Sequence, residues 1–335
     1  MRAGGALGAG WVGMGVVAVV SPGRKLRDVI ATGESLLMPG CTDPLSGRIF
    51  ERMGFKALSV GGWMTGASSV TPEPLLTMTE QALVAGRVAR AVSIPVRADI
   101  HTGFGEPIHV MRAVREFEEA GLAGVHLEDQ LFPKRASYHR GLEHVCDLDE
   151  FLRRLEFALK ARQDDSFMIM ARTDAGNAYN GSWAEAARRA RAVRAMGIEV
   201  LLPHTRTKQE IEAFRQEFPD DDLVLECSSY FNGLTPEQFL GYGYQLVSYP
   251  LATVIAQMAS TMELYRGLLE TGVAVMDPEW AKQVREEIEE AQGLPAFWEI
   301  ERQTVEAEAA DYTGRTIAGY EGQDTQAQPS STDQR

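Results

Sequence analysis

The chain has 335 residues, of which 44% are hydrophobic and 24% are charged, and its formal net charge is −14. This composition is typical of a globular protein with one large or two ordinary domains. The acidic balance argues against nucleic acid or an anionic membrane as partners, whereas a small acidic substrate stays compatible with a locally basic pocket. The three cysteines are far apart and lack metal-finger spacing, which predicts a reducing, cytoplasmic location.

Residues 1–24 resemble a signal peptide, because Arg2 is followed by an apolar run and then by small residues. The run is glycine-rich and too short to span a bilayer. We interpret this segment as a disordered or loosely ordered extension. The polar residues 313–335 are predicted to form a disordered tail.

From residue 25 onward, short apolar runs alternate with amphipathic segments. The runs predict eight strands, at Ser35–Pro39, Lys56–Val60, Ile94–Asp99, Ala123–Glu128, Phe167–Arg172, Ile198–Pro203, Leu223–Cys227 and Tyr244–Ser248. The amphipathic segments predict helices at Asp43–Met53, Met78–Val92, Pro107–Ala120, Leu148–Arg162, Trp183–Met196, Lys208–Phe218, a short segment from Pro236, and Leu251–Leu269. The glycine-rich stretch from Gly61 to Ser69 is expected to be a loop.

Continuous apolar runs are typical of parallel strands that are buried on both faces. Eight strand–helix units therefore predict an α/β fold, a (β/α)8 TIM barrel over residues 25–275. The competing fold is a doubly wound open sheet, but no GxGxxG motif follows the first strand. Two more helices, Pro278–Gln292 and Pro295–Ala310, lie in a segment (276–312) that we expect to pack on the barrel or on a neighbouring subunit.

In a TIM barrel the active site lies at the carboxyl ends of the strands. The residues at the predicted ends are Gly40, Gly61, Gly62, Trp63, Asp99, His101, Glu128, Asp129, Arg172, Asp174, His204, Glu226 and Ser228. Four of them are candidate metal ligands: Asp99, His101, Glu128 and His204. Carboxylates favour Mg²⁺ or Mn²⁺, and two imidazoles shift the preference toward Mn²⁺, Fe²⁺, Co²⁺ or Zn²⁺. The alternatives are ion pairs of the carboxylates with Arg97 or Arg172, and histidines that cap or support the site.

Arg172 ends an apolar strand, and a buried arginine requires an anion. A substrate carboxylate would provide one, and Asp174 or Glu128 would be the alternative. Lys134, Arg135 and His139 lie in the polar loop after the fourth strand, which is either a lid over an anionic substrate or a solvated basic loop. His126 is predicted to point into the barrel, either for proton transfer or as a satisfied core histidine.

Four segments, RADIHTGFGE, GVHLEDQLFPKR, MARTDA and YPLATVIAQM, occur in this order. Together they resemble the isocitrate lyase / phosphoenolpyruvate mutase superfamily, nearest its methylisocitrate lyase-like branch, from about Leu26 to Gly272. The resemblance implies a barrel that forms a homo-oligomer, a dimer or tetramer, often with the last helix exchanged between subunits. It also implies a divalent metal, usually Mg²⁺, and a 2-oxo acid or its enolate as the bound species.

By motif, the resemblance implies that Asp99 anchors the metal and that Glu128 holds metal-bound water. It implies that Arg172 binds the substrate carboxylate and that Gly61 and Gly62 provide amides that cradle it. Independently of the resemblance, Trp63 is expected to narrow the pocket or to pack under its loop, and Ser228, at a predicted strand end, is expected to contact substrate.

The sequence departs from the family pattern at four positions. His101 stands at the second aspartate of the family's DxDTGFG motif, and His204 stands at a glutamate after strand six. Ala136 replaces the loop cysteine that serves as an acid in the lyases, and Val60 replaces a serine. The two histidines together suggest a metal site retuned toward a transition ion. The alternative is that both positions drifted independently in a member that has lost activity.

We therefore predict a metal-dependent lyase-type enzyme for a small 2-oxo or 2-hydroxy di-acid, acting through a metal-stabilised enolate. Proton delivery would come from His126 or His139, since imidazole exchanges protons near neutral pH, with Lys134 and Arg135 beside them. The alternatives are an oxaloacetate or phosphonopyruvate decarboxylase or hydrolase, an oxygen-dependent enzyme with a histidine-containing transition-metal site, and a non-catalytic 2-oxo acid binder.

Overall fold

The computed structural model describes residues 20–135, 138–220, 222–229 and 233–304. The predictions for most of the N-terminal extension, for Ala136, for the end of the last helix and for the polar tail lie outside the described residues.

Parallel strands form the centre of the protein. Within the described ranges they are β1 (Leu36–Pro39), β2 (Leu58–Val60), β3 (Val96–Asp99), β4 (Gly124–Glu128), β5 (Met168–Arg172), β6 (Val200–Leu202), β7 (Val224–Ser228) and β8 (Tyr244–Tyr249). Each strand pairs with its sequence neighbour, and β1 pairs with β8. A parallel bridge between Gly40 and Ser59 joins the two ends of the sheet. The predicted (β/α)8 barrel is thereby confirmed.

Helices surround these strands. Within the described ranges they are α1 (Pro22–Ile30), α2 (Pro44–Arg52), α3 (Gly62–Ser68), α4 (Met78–Ala91), α5 (Pro107–Glu119), α6 (Leu148–Ala161), α7 (Trp183–Ala195), α8 (Lys208–Glu217), α9 (Pro236–Gly241), α10 (Ala252–Thr271), α11 (Pro278–Gln292) and α12 (Leu294–Thr304). A short 3-10 turn covers Glu73–Leu75.

The amino end of the barrel is closed by α1, which begins at Pro22, inside the segment predicted to be a loose extension. Leu26 of this helix is fully buried and packs with Met168, Met170 and Leu246, which point into the barrel. Burial of this apolar side chain explains why the segment is ordered.

The stretch predicted to be a loop after β2 is helix α3. Gly61 caps it, and Met64 and Thr65 are buried. A Cβ at Gly66 would lie 2.6 Å from the carbonyl oxygen of Thr71, so glycine here permits close packing of the backbone. The prediction of a loop from this glycine content was wrong. Glycine is used both in flexible loops and where two backbone segments pack closely, and here it serves the second purpose.

The C-terminal helices pack unevenly on the barrel. Helix α11 lies against α2, where Arg48 Nε donates to the carbonyl oxygen of Ala291 at 3.3 Å and Arg52 pairs with Glu287 at 3.2 Å. In the single chain described, no residue of α10 is buried, although Met258 and Met262 are apolar. Exchange of a helix between subunits stays a prediction. None of the described helices is long and apolar enough to cross a membrane.

Candidate metal and carboxylate site

Three buried side chains of metal-ligand type meet at the carboxyl ends of the strands. Glu73, Asp99 and His101 each offer one donor atom, and these atoms lie within 4.8 Å of one another. Asp99 ends β3, His101 follows it, and Glu73 comes from the 3-10 turn after α3. We call these residues the acidic group.

The backbone around the acidic group is strained and closely packed. His101 has φ of 52°, a left-handed conformation that a non-glycine residue adopts at a cost. Its backbone N–H donates to Asp99 Oδ1 at 2.7 Å, which holds the conformation. A Cβ at Gly62 would collide with Glu73 and with the His101 ring, so only glycine fits there. The local fold is therefore built around these donors.

The acidic group fits a divalent cation. It contains two buried carboxylates, and His101 Nε2 is buried with no hydrogen-bond partner among the described residues. Burial, followed by the nearby Lys134 charge, lowers the pKa of His101 to about 4, so its imidazole is neutral at neutral pH. A neutral imidazole and ionised carboxylates are the forms in which these side chains bind metals.

Lys134 lies against the same carboxylates. Its Nζ is 2.6 Å from Glu73 Oε1, 3.0 Å from Glu128 Oε1 and 4.0 Å from Asp99 Oδ2. Burial alone would lower the pKa of Lys134, but the three carboxylates outweigh it and raise that pKa above the ordinary lysine value. The side chain is therefore a permanently charged ammonium inside the site.

Arg172 is held by several acidic neighbours at once. Its Nε and one terminal nitrogen donate to the two oxygens of Asp174, each at 3.0 Å. The other terminal nitrogen lies 3.2 Å from Glu128 Oε2 and 3.8 Å from Asp99 Oδ2. The ion pairs that sequence analysis gave as an alternative are thus present, and one terminal nitrogen of the guanidinium faces the acidic group.

Glu128 is fully buried between these two cations. Burial raises its pKa to about 8, although Lys134 and Arg172 act in the opposite direction. Asp99 is different, because His126, Lys134 and His101 overcome the effect of burial and hold its pKa well below the usual range. Asp99 is therefore held in its ionised form, whereas burial and the two cations act on the pKa of Glu128 in opposite directions.

The two other predicted histidines occupy different surroundings. His126 Nδ1 is 2.7 Å from a terminal nitrogen of Arg97, and its Nε2 is 3.3 Å from Asp99 Oδ1. His204, with φ of 43°, places Nδ1 against Asp174 and 3.0 Å from Arg172. Burial and then Arg172 lower the pKa of His204 to about 4. The structure thus groups His126 with Asp99, and His204 with the arginine.

The loop after β4 approaches the acidic group through Lys134. Arg135 is exposed, and its backbone N–H donates to Gln130 Oε1 at 2.9 Å. His139 packs on the ring of Tyr138, with 4.2 Å between ring centroids, and Tyr138 donates from its hydroxyl to Glu73 Oε2 at 2.7 Å.

Among the predicted substrate contacts, Gly62 abuts the acidic group as described above. Trp63 is half-buried on α3. Ser228, at the end of β7, lies with its Oγ 3.4 Å from Ser248 Oγ.

Sequence reasoning missed Glu73 and Tyr138. Glu73 lies in the 3-10 turn after α3 and Tyr138 in the loop after β4, whereas the predicted site residues were those at strand ends. The sequence signal for Glu73 was its position between Pro72 and Pro74. Two prolines fix the backbone of such a turn, so the charged side chain between them points in one fixed direction.

Comparison with known proteins agrees with this geometry. Residues 26–269 match the family described as phosphoenolpyruvate phosphomutase. The chain is 34% identical to a probable 2-methylisocitrate lyase of Corynebacterium glutamicum, over 77% of this chain and 84% of that protein. It is 31% identical to 2,3-dimethylmalate lyase of Eubacterium barkeri, over 76% of this chain and 89% of that protein.

A solved structure of phosphonopyruvate hydrolase with oxalate and Mg²⁺ is also similar. Its TM-score is 0.75 at 26% identity, and the match covers 86% of this chain and all of that one. The superfamily resemblance inferred from the four motifs, with its lyase chemistry and its dependence on a divalent metal, is confirmed. The chain belongs to the phosphoenolpyruvate mutase family, within the isocitrate lyase superfamily of lyase-type enzymes.

Proposed function

We propose that this protein is a metal-dependent lyase for a small 2-oxo or 2-hydroxy di-acid, and that Glu73, Asp99 and His101 hold its metal. The observation that carries the proposal is the buried meeting of this acidic group with Lys134 and Arg172. Two cations beside a set of metal ligands form a site for a dianion. A ligand with two negative charges would neutralise these positive charges, and few other ligands would do so. Glu128, at hydrogen-bond distance from both cations, completes the predicted metal environment.

Arg172 is proposed to bind the carboxylate next to the reacting carbon. Two of its nitrogens are fixed by Asp174, so the fork cannot rotate, and the remaining terminal nitrogen faces the acidic group. A planar guanidinium held in this way orients a carboxylate better than a flexible ammonium does. The backbone amides of Gly61, Gly62 and Trp63 are proposed to contact the same carboxylate, since Gly62 abuts the acidic group, and Ser228 is proposed to contact the far end of the substrate.

When the substrate is a 2-oxo acid, loss of the group on its third carbon leaves the electron pair as an enolate, with negative charge on the 2-oxo oxygen. When the substrate is a 2-hydroxy acid, the hydroxyl loses its proton as it becomes a carbonyl, and the electron pair leaves as the enolate of the departing acid. The metal, when bound, would supply Lewis-acid stabilisation of that charge. Lys134 adds a second fixed positive charge, because its carboxylate neighbours keep it protonated. Glu128 lies 3.0 Å from Lys134 and 3.2 Å from Arg172, so it can hold both cations in place beside the substrate.

Proton delivery to the product is assigned to the loop after β4. With alanine at position 136, no cysteine is available there, and His139 is the proposed proton donor, with the positive charges of Arg135 and Lys134 beside it. Tyr138 supports this placement, because its hydrogen bond to Glu73 brings the loop onto the acidic group. The ring of His139 lies directly beside that tyrosine.

A second candidate is a hydrolase or decarboxylase of oxaloacetate or phosphonopyruvate. The observation that favours it is Ala136, since these reactions do not require the loop cysteine of the lyases. The similarity to phosphonopyruvate hydrolase supports the same reading.

The proposal is tested by turnover. Metal-free protein is incubated with a panel of 2-oxo and 2-hydroxy di-acids and with Mg²⁺, Mn²⁺, Fe²⁺, Co²⁺ or Zn²⁺ in turn, and products are followed by chromatography. We expect cleavage that is lost on chelation, restored by metal and absent in Asp99→Asn. Binding without turnover for every metal would instead indicate a non-catalytic binder, and oxygen consumption would indicate redox chemistry.

The identity of the metal is proposed to depend on His101. An imidazole ligand favours Mn²⁺, Fe²⁺, Co²⁺ or Zn²⁺ over Mg²⁺. We expect His101→Asp to bind Mg²⁺ about 10-fold or more tightly relative to Zn²⁺ than the wild type does, as measured by competition calorimetry. His144→Asp, whose original ring packs on Tyr179 instead, is the control. His204→Gln tests the prediction that this histidine is also a ligand. An unchanged Mg²⁺/Zn²⁺ ratio in His101→Asp would contradict the retuned site.

A further inference from the structure

Beneath the acidic group, an ion pair crosses the interior of the barrel. Arg97 of β3 pairs with Glu226 of β7, and their side chains are 2% and 1% exposed. In the strand order, β3 and β7 are separated by three strands in each direction, so the pair spans the barrel. Barrel interiors are usually filled with branched aliphatic side chains. Two charges buried there carry a desolvation cost that the pair alone does not clearly recover.

Arg97 also determines the state of His126. One terminal nitrogen of its guanidinium lies 2.7 Å from His126 Nδ1. A guanidinium only donates hydrogen bonds, so Nδ1 must accept, and the proton of the neutral ring is on Nε2. This protonated nitrogen lies 3.3 Å from Asp99 Oδ1. The series Glu226, Arg97, His126 and Asp99 thus runs from the barrel interior to the acidic group.

The series leaves the two oxygens of Asp99 in different positions. Oδ1 accepts from the backbone N–H of His101 at 2.7 Å and faces His126 Nε2. Oδ2 faces Lys134 at 4.0 Å and Arg172 at 3.8 Å. Only Oδ2 therefore remains directed at the space where metal and substrate are expected.

We propose that Glu226, Arg97 and His126 are positioning residues that lock the His126 tautomer and hold Asp99 so that it ligates metal through Oδ2 alone. This inference rests on the proposed metal site. It assigns His126 a role in support of Asp99 rather than in proton transfer, because both ring nitrogens face protein groups. A ligand carboxylate whose second oxygen is held by hydrogen bonds loses less rotational freedom on binding the metal.

The test measures metal affinity separately from stability. Metal-free wild type, His126→Leu and His126→Gln are titrated with Mn²⁺, free Mn²⁺ is followed by its EPR signal, and urea unfolding is measured without metal. We expect His126→Leu to bind Mn²⁺ about 10–100-fold more weakly. His126→Gln, whose amide N–H can replace the donor at Nε2, is expected to recover most of that loss. The double variant Arg97→Met/Glu226→Met, which removes both buried charges together, is expected to weaken Mn²⁺ binding while remaining folded.

The matched control is Arg154→Met, which removes another buried arginine, one that donates to the carbonyl oxygen of Gln130 at 3.2 Å. It is expected to change stability but not Mn²⁺ affinity. Wild-type affinity in His126→Leu would overturn the positioning role, whether or not its stability changes. A fall in kcat at unchanged Mn²⁺ affinity would overturn it too, in favour of proton transfer. Wild-type protein that binds none of the five metals would overturn the proposed function itself.

Discussion

Replacing Arg172 with methionine is expected to lower the free energy of unfolding by about 3–5 kcal/mol and to reduce turnover by at least ~10²-fold. The structural reason is that the guanidinium lies against Asp174, Glu128 and Asp99. Removing it leaves buried carboxylates without their main positive partner. Arg172, followed by His204, holds the pKa of Asp174 well below its usual range, against the effect of burial. Without Arg172, the ionised form of Asp174 would lose the larger part of its stabilisation.

The measurement for Arg172 is urea unfolding together with kcat/KM for the best di-acid of the panel. Arg172→Lys retains the charge without the fork, so it is expected to recover part of the stability but to keep a raised KM. Arg154→Met is again the control for loss of a buried arginine away from the site. A normal KM in Arg172→Met would contradict a role in binding the substrate carboxylate.

Replacing Lys134 with methionine is expected to destabilise the metal-free protein more than the metal-loaded protein. Without metal, Glu73, Glu128 and Asp99 lose the ammonium that neutralises them, at a cost of about 3–5 kcal/mol. Because those carboxylates raise the pKa of Lys134, its stabilising contribution is complete at neutral pH. That contribution is lost only as the pH rises through the raised pKa.

Divalent metal should compensate for that loss, since it places positive charge beside the same carboxylates. We therefore expect a larger metal-induced rise in Tm for Lys134→Met than for the wild type, together with tighter metal binding and loss of turnover. Thermal unfolding with chelator and with saturating metal measures this difference. Lys160→Met, which removes an exposed lysine paired with Glu156, should leave both curves unchanged. Equal metal-induced shifts in Lys134→Met and wild type would show that ammonium and metal do not share these carboxylates.

Much of the fold was predictable because it depends on short-range patterns. Continuous apolar runs indicated strands buried on both faces, and each observed strand overlaps its predicted range, with β1 to β7 beginning one or two residues later. The predicted strands began too early because apolar residues such as Phe167 and Ile198 continue the run ahead of the residues that pair in the sheet. The glycine-rich segment that became α3 was predicted wrongly, because its glycines permit close packing rather than a flexible loop.

The sequence by itself determined the barrel, the family and the positions of Asp99, His101, Glu128 and Arg172 at strand ends, since these follow from periodicity and local motifs. Only the tertiary structure decided which side chains meet. It brought Glu73 from a turn onto Asp99, directed Lys134 at three carboxylates, and joined Arg97 to Glu226 across the barrel. The physical reason is that barrel closure brings together residues far apart in the sequence. The protonation of a buried group then depends on neighbours that no local pattern identifies.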